Sequence, residues 1–297
     1  MWPYFKIVAA LLLLTVQSVV AQQNYVRLVR DSQNRPKYLQ TAVARFQSPS
    51  GEIVDLVSVV HIADEPYYQK LNKHLDNYDA VLYEMVLDMP RSFDHQNEIR
   101  DLLGREKREP RIDTRRGGND ALSLYQKKMA SVLGLEFQQS VIDYTKEHFY
   151  HADLTQEEFD EAMTGEKGES AGDLLTTLFE KSSSPVPEMI DAMKLPLLKI
   201  VALGPSEKER KILKIGVGAS LAQAVDPAVE IQGDVLIGQR NARAMEVLKR
   251  RLAAGDKKFA IFYGAAHMPD ISLRLRQAGY KPIYRNWMTC WVLEPSH

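Results

Sequence analysis

Residues 53–64, IVDLVSVVHIAD, and residues 258–270, KFAIFYGAAHMPD, share one pattern although they lie near opposite ends of the chain. In each stretch an apolar run typical of a buried strand is followed by a histidine. An aspartate three residues later is placed to cap the start of a helix. Strands that lead directly into helices are typical of α/β proteins, so both ends of the chain are predicted to build one central sheet.

The neighbouring sequence completes this sheet. Apolar and β-branched runs at 38–46 and 53–60 flank the turn signal Ser48-Pro49-Ser50-Gly51 and predict a hairpin. The remaining elements of the two ends are predicted as helices and strands in alternation. They are a helix at 64–78, a strand at 80–86, a helix at 234–254, a strand at 258–263, a helix at 270–278, and terminal strands near 282–284 and 287–293.

The predicted organisation is an α/β fold with a central, mostly parallel or mixed sheet. Residues 22–90 and 223–297 form the α/β core, and residues 91–222 form a mainly helical insertion with a polar loop at 91–120. Within the insertion, Thr155-Gln156-Glu157-Glu158 is a capping box and Ser182-Ser183-Ser184-Pro185 a connector. His148 and His151 have the i,i+3 spacing that could bind a metal on a helix, but His148–His151 is interpreted as the end of a helix, where histidine suits the helix dipole.

Composition excludes several classes of protein. The chain has 297 residues, 38 Lys and Arg, 39 Asp and Glu, and a formal net charge of −1. Such a balance provides no overall field to recruit nucleic acid or an anionic membrane. The single cysteine, Cys290, excludes a disulfide framework, and its apolar surroundings predict a buried strand residue and not a nucleophile.

Residues 1–21 are predicted to be a signal peptide. Lys6 precedes an apolar run at 7–16 that is short for a bilayer span, and the chain turns polar after Val19-Val20-Ala21. An uncleaved anchor is the alternative interpretation. Because of this signal peptide, the mature protein is predicted to be exported, either periplasmic or secreted. No stable membrane span is expected after cleavage.

The two histidines, His61 and His267, are the first candidate site residues. Each follows a strand and precedes a helix N-cap, supplied by Asp64 and Asp270. Ligands bind at the carboxyl ends of strands in open α/β sheets, so the two side chains are expected in one pocket. Neutral imidazole is both a common metal ligand and a general base. The alternative is that each histidine only fills a turn.

Glu84 interrupts the apolar run from Ala80 to Leu87, at the expected carboxyl end of its strand. A buried carboxylate is unfavourable unless it is paired or binds a cation, which points to a metal ion or a catalytic proton. An edge strand with Glu84 in water is the alternative. Asn241 lies on the apolar stripe of the helix at 234–254, beside Arg240. A buried amide or guanidinium needs a hydrogen-bond partner, such as a carboxylate or a metal ligand. The alternative is that Arg240 reaches solvent and Asn241 belongs to the cap of the helix.

The order of these motifs resembles the TraB/GumN/TIKI superfamily, which is related to erythromycin-esterase and ChaN-like proteins. The resemblance covers roughly residues 54–88 and 234–280. It rests on a histidine after the first strand, a glutamate on the next, Arg-Asn before a helix, and Gly-x-x-His at Gly264. Ser58 stands where the first family motif has glycine. A weaker echo of the motifs lies at His151-Ala152-Asp153-Leu154-Thr155.

The resemblance implies a metal-dependent protease supported by manganese or cobalt. His61, Glu84 and His267 would then be the metal or catalytic residues, with Arg240 and Asn241 in support. Two imidazoles and one carboxylate also suit zinc, and a bound cation would activate water for attack on a peptide or protein substrate. Arg240 would stabilise the oxyanion or orient Glu84. Two alternatives stay open: an exported peptide-binding protein without turnover, and a metal-free esterase-like hydrolase with a histidine base.

Overall fold

The structure, a computed structural model, describes residues 25–87, 98–101, 103–104, 118–166, 204–224 and 234–293. The expected signal peptide, the connector at Ser182–Pro185 and most of the polar loop at 91–120 lie outside these residues. In the part of the chain that is described, no helix is long and apolar enough to cross a membrane.

A mixed seven-stranded sheet forms the centre of the described structure. Its strands are β1 (Val26–Arg30), β2 (Pro36–Gln47), β3 (Ile53–Val59), β5 (Ala80–Tyr83), β7 (Phe149–His151), β8 (Lys258–Gly264) and β9 (Lys281–Val292). The short strands β4 (Ile62–Ala63) and β6 (Glu136–Phe137) pair separately. The main sheet has the order β1-β2-β3-β8-β5-β7, and β9 pairs with β2.

The sheet has a parallel part and an antiparallel part. Strands β3, β8, β5 and β7 are parallel to one another, whereas β2 runs antiparallel to β1, β3 and β9. The α/β fold with a mixed sheet built from both ends of the chain is therefore confirmed. The middle of the chain adds β7 at one edge of this sheet.

Helices fill the intervals between the strands. They are α1 (Glu65–Leu75), α2 (Gly118–Leu133), α3 (Gln138–Val141), α4 (Gln156–Glu166), α5 (Glu207–Ala224), α6 (Arg240–Ala253) and α7 (Met268–Gln277). A π-helical turn, Asp234–Gln239, leads into α6, and a 3₁₀ turn, Ala265–His267, leads into α7. The capping box at α4 is confirmed, because the backbone N–H of Thr155 donates to Glu158 at 2.9 Å and the N–H of Glu158 donates to the Thr155 hydroxyl at 3.3 Å.

Burial on both faces of the sheet explains the continuous apolar runs by which the sequence predicts the parallel strands. In β8 the residues from Phe259 to Tyr263 are all 0% exposed. A strand covered on both faces reads as a continuous apolar run and does not alternate. Cys290 is likewise buried in β9, and this burial raises the pKa of its thiol, so it is a packing residue and not a nucleophile.

Three predicted elements are corrected. The strand from Ala80 ends at Tyr83 and does not reach Val86. The two predicted terminal strands are one, β9, whose register against β2 shifts at Ile283 and Cys290 and so breaks the sequence pattern. The helix end predicted at His148–His151 is wrong, because Phe149 is fully buried and its segment pairs with β5 as β7.

Candidate functional site

The candidate site lies at the carboxyl ends of the four parallel strands. In sheet order, His61 follows β3, Gly264 ends β8, Glu84 follows β5 and Asp153 follows β7. Parallel strands bring their carboxyl ends to one edge, which is where α/β proteins bind ligands. The topology thus gathers polar residues that are far apart in sequence.

Glu84 is the centre of this cluster. Its Oε2 accepts a hydrogen bond of 2.6 Å from the backbone N–H of Gly264. Its Oε1 accepts one of 2.7 Å from Nη2 of Arg240 and lies 3.3 Å from Nε2 of His267. Only 9% of the Glu84 side chain is exposed, so a charged carboxylate here depends on these partners.

Arg240 joins Glu84 to a second carboxylate, that of Asp153. Its Nε and Nη2 donate to the two oxygens of Asp153 at 2.9 and 2.6 Å, and the Asp153 side chain is 0% exposed. Burial by itself lowers the pKa of Arg240, but the charges of Asp153 and Glu84 outweigh burial and raise it. Arg240 therefore stays cationic between two acids.

His267 is held by an amide. Nδ1 of His267 lies 2.7 Å from Oδ1 of Asn241, while Nδ2 of Asn241 donates to Oδ2 of Asp270 at 2.7 Å. A carboxylate can only accept, so the amide nitrogen must face Asp270 and the amide oxygen must face His267. Nδ1 of His267 is therefore the donor. Asp270 is fixed in turn by Arg274, whose Nε donates to it at 2.6 Å.

This hydrogen bonding sets the chemistry of the other ring nitrogen. With Nδ1 protonated, Nε2 of a neutral His267 would point a lone pair at the Glu84 carboxylate 3.3 Å away. Two acceptors repel each other at that distance unless a proton or a metal cation lies between them. The contact between Glu84 and His267 is thus a place where a positive charge is needed.

His61 approaches the same point from β3 and is partly exposed. Its carbonyl accepts a hydrogen bond of 2.8 Å from the backbone N–H of Gln138. Burial of the ring lowers the pKa of His61, while the charge of Glu84 opposes this effect. His61 is therefore expected to be neutral near pH 7, with a ring nitrogen available as a base or a ligand.

Gly264 provides the space in which these groups meet. A Cβ atom at this position would lie 3.1 Å from Oε2 of Glu84, 3.6 Å from Nε2 of His61 and 3.8 Å from Cδ2 of His267. The position has an ordinary backbone φ of −53°, so glycine is required here for space and not for conformation. Its missing side chain lets Glu84 reach the backbone N–H.

The net charge of the cluster depends on what lies between Glu84 and His267. Glu84 and Asp153 are two buried acids, and Arg240 is one base. Although burial raises the pKa of Glu84, the positive charges of Arg240 and of a protonated His267 outweigh it and hold that pKa well below its usual range. With both imidazoles neutral the buried cluster would carry a charge of −1, which is unfavourable. A proton on His267 or a bound cation supplies the positive charge that balances it.

Most of the residues predicted from sequence come together here, and two do not. His61, Glu84, His267, Arg240 and Gly264 are in the cluster, with Asn241 and Asp270 behind His267. The hydroxyl of Ser58 instead donates to the carbonyl of Tyr25 at 3.2 Å. Asp64 accepts hydrogen bonds from Nζ of Lys214 at 2.8 Å and from the N–H of Val292 at 2.6 Å, so it links α1 to α5 and β9.

Two residues of the cluster were not predicted from the sequence. Asp153 lies in the weak echo of the family motifs at His151–Thr155, and that echo was the one available signal for it. Gln138 begins α3 beside His61, in a segment without a recognisable pattern. Both belong to the predicted insertion, which thus contributes to the site.

Comparison with known proteins identifies no relative: no family model, no curated protein and no solved structure matches the chain. Among the described residues, no group of three or more His, Cys, Asp or Glu side chains stands in ligand geometry around one point. The chemistry of the site therefore has to follow from its own hydrogen bonds and charges.

The lowered pKa of His61 predicts a pH dependence of stability. Below its ordinary value of 6.5, the unfolded chain binds a proton at His61 that the folded protein does not bind, so acidification favours unfolding. In chelator-treated protein we expect His61→Asn to reduce the slope of unfolding free energy against pH, between pH 6.5 and 5, by up to about 1.4 kcal/mol per pH unit. Urea denaturation at several pH values measures this.

His74→Asn calibrates that experiment, because burial also lowers the pKa of His74, which lies outside the site. Each variant should remove part of the slope. An unchanged slope in His61→Asn would show that the folded protein protonates His61 as readily as the unfolded chain does.

A Gly264→Ala substitution tests the space around Glu84. The new Cβ, 3.1 Å from Oε2 of Glu84, should displace the carboxylate and lower the unfolding free energy by about 1–3 kcal/mol. Gly218→Ala in α5 is the matched control, because its Cβ would meet Trp291 at an ordinary 3.5 Å. Chemical denaturation should show a loss for Gly264→Ala only. Equal stability of the two variants would contradict the close packing around Gly264.

Proposed function

We propose that this protein is a hydrolase of peptides or proteins in which His61, Glu84 and His267 hold one divalent cation. The observation that carries the proposal is the 3.3 Å contact between Oε1 of Glu84 and Nε2 of His267, where a positive charge is needed. His61 brings a second neutral ring nitrogen to the same place. Membership of the TraB/GumN/TIKI superfamily, export from the cell and peptides as the substrate class belong to the same proposal, and follow the sequence resemblance.

The donor set fits a divalent cation. Two imidazoles and one carboxylate suit zinc, manganese or cobalt. Because Gly264 has no side chain, a space is left open beside it. Atoms of all three residues lie within 3.8 Å of the position that a Cβ would occupy there. The hydrogen bond from Nδ1 of His267 to Asn241 is the outer contact that metal-binding histidines usually have, because it leaves the lone pair on Nε2.

A bound divalent cation would supply an activated water and polarise the substrate carbonyl. The chain's own residues would do the rest. Arg240 keeps Glu84 ionised and fixes its carboxylate, and its charge can support an oxyanion. His61, which burial keeps neutral, would offer its unprotonated ring nitrogen to the cation.

A second candidate function is a metal-free hydrolase that uses the same residues as acid and base. It is favoured by the hydrogen bonds of Glu84, because a proton on Nε2 of His267 would complete them without a metal ion. The described side chains also lack a preformed group of three ligands. In this form the proton that balances the charge of the cluster lies between His267 and Glu84, and His61 acts as the general base.

Metal content distinguishes the two. The purified protein, reloaded with manganese, cobalt or zinc and dialysed, should retain close to one ion per chain by elemental analysis. His61→Ala/His267→Ala should lose it, because two of three ligands are gone. His74→Ala/His148→Ala, which removes two histidines outside the cluster, should retain it. Isothermal titration with manganese gives the affinity, and bound ion should raise the unfolding free energy by about 2.7 kcal/mol at a hundredfold excess over Kd.

Turnover of an unstructured peptide mixture, followed by mass spectrometry, completes the experiment. Cleavage that requires the added metal and both site histidines supports the proposal. Negligible metal in the wild type and in both double variants would overturn it. Cleavage that resists chelation would then establish the acid–base form, and peptide binding without cleavage would indicate a sequestering protein.

A further inference from the structure

Gln138 is a buried amide at the site that the proposed chemistry does not use. It is the first residue of α3 and only 4% exposed. Its backbone N–H donates to the carbonyl of His61 at 2.8 Å, which fixes it beside that histidine. The backbone of Gln138 is therefore held next to His61.

The amide of Gln138 is oriented by Tyr144. Its Nε2 donates to the Tyr144 hydroxyl at 2.8 Å, and Tyr144 is itself buried. The amide oxygen, Oε1, is also buried and has no hydrogen-bond partner among the described residues. A buried acceptor without a donor is unfavourable by about 1–3 kcal/mol, so this oxygen requires one.

A ring N–H of His61 is the candidate donor, because the backbone of Gln138 is bonded to the carbonyl of His61. Burial lowers the pKa of His61, and a hydrogen bond from its ring to the amide oxygen of Gln138 would act in the opposite direction. Nε2 of His61 faces Gly264, 3.6 Å from the position of a Cβ there. Nδ1 is then the nitrogen left to face away from Glu84 and His267.

We propose that Gln138 is a positioning residue whose Oε1 accepts the Nδ1–H of His61. This bond selects the tautomer in which Nε2 carries a lone pair directed at Glu84 and His267. Asn241 performs the same task for His267, through an amide oxygen on Nδ1. Each histidine of the site would thus be oriented by its own amide side chain.

The use of the Nε2 lone pair as a ligand or base rests on the proposed function, but the tautomer does not. Partners of this kind usually contribute a factor of about 10 to 100 to metal affinity or activity. The experiment therefore reads the tautomer directly, in chelator-treated protein without substrate. Failure of metal binding or of hydrolysis would leave its result intact.

The test is long-range ¹H–¹⁵N correlation NMR of the full-length protein labelled on histidine, near pH 7.5. His61 is assigned with His61→Asn. In the wild type, Nδ1 of His61 should have the shift of a protonated nitrogen and Nε2 that of an unprotonated one. Gln138→Met keeps the length of the side chain without the acceptor, so the Nδ1–H pattern should be lost. Gln138→Glu restores an acceptor and should restore the pattern.

Two controls separate this role from general damage to the fold. Gln40→Met replaces a glutamine in β2, which is bonded to Arg27 and Thr289, and should not alter His61. Nδ1 of His267 should remain protonated in every variant, because Asn241 holds it. A protonated Nε2 on His61 in the wild type, or an unchanged Nδ1–H pattern in Gln138→Met, would overturn the proposal. If Gln138→Met fails to fold, Nδ1 of His61 losing its proton in Gln138→Glu would overturn it equally.

Discussion

The rest of the site depends on the two ion pairs that Arg240 forms with Asp153 and Glu84. Its fixed positive charge is buried between these two carboxylates. Either acid alone in this setting would be an unpaired buried charge, and Arg240 donates hydrogen bonds to both. Its two partners follow neighbouring parallel strands, while Arg240 begins α6. The pairing therefore fixes the edge strand, the central sheet and a helix from the C-terminal part of the chain against each other.

This pairing also ties the predicted insertion to the core. Asp153 is carried by β7, which comes from the middle of the chain, and Gln138 is carried by α3 just before it. Two of the groups that surround the catalytic candidates thus come from the segment that the sequence predicts to be an insertion into the core. Its removal would leave Arg240 with one carboxylate and His61 without its neighbouring amide.

Sequence reasoning succeeded where a residue contrasted with its surroundings. His61, Glu84 and His267 stand at the ends of apolar strands, and Asn241 interrupts an apolar stripe, so each was conspicuous. Asp153 and Gln138 lie in mixed polar and apolar sequence where they do not stand out, and apart from the weak echo of the family motifs at Asp153 only the fold reveals their partners. Ser58 was named because it replaces the glycine of the family motif, and Asp64 because it is the predicted helix N-cap after His61. In the structure Ser58 lies inside β3 and bonds to Tyr25, and Asp64 accepts hydrogen bonds from Lys214 and Val292.

The two histidines differ in what stands behind their amides. Asn241 is bonded to the carboxylate of Asp270, which polarises its oxygen toward positive charge on His267. Gln138 is bonded to the neutral hydroxyl of Tyr144, and burial lowers the pKa of His61. The positive charge that the cluster needs therefore belongs at the contact between His267 and Glu84, whether a proton or a metal ion provides it. His61 stays neutral, so its unprotonated ring nitrogen is a ligand in the metal-bound form and the base in the metal-free form. Environment thus separates the roles of two residues that the sequence presents in identical settings.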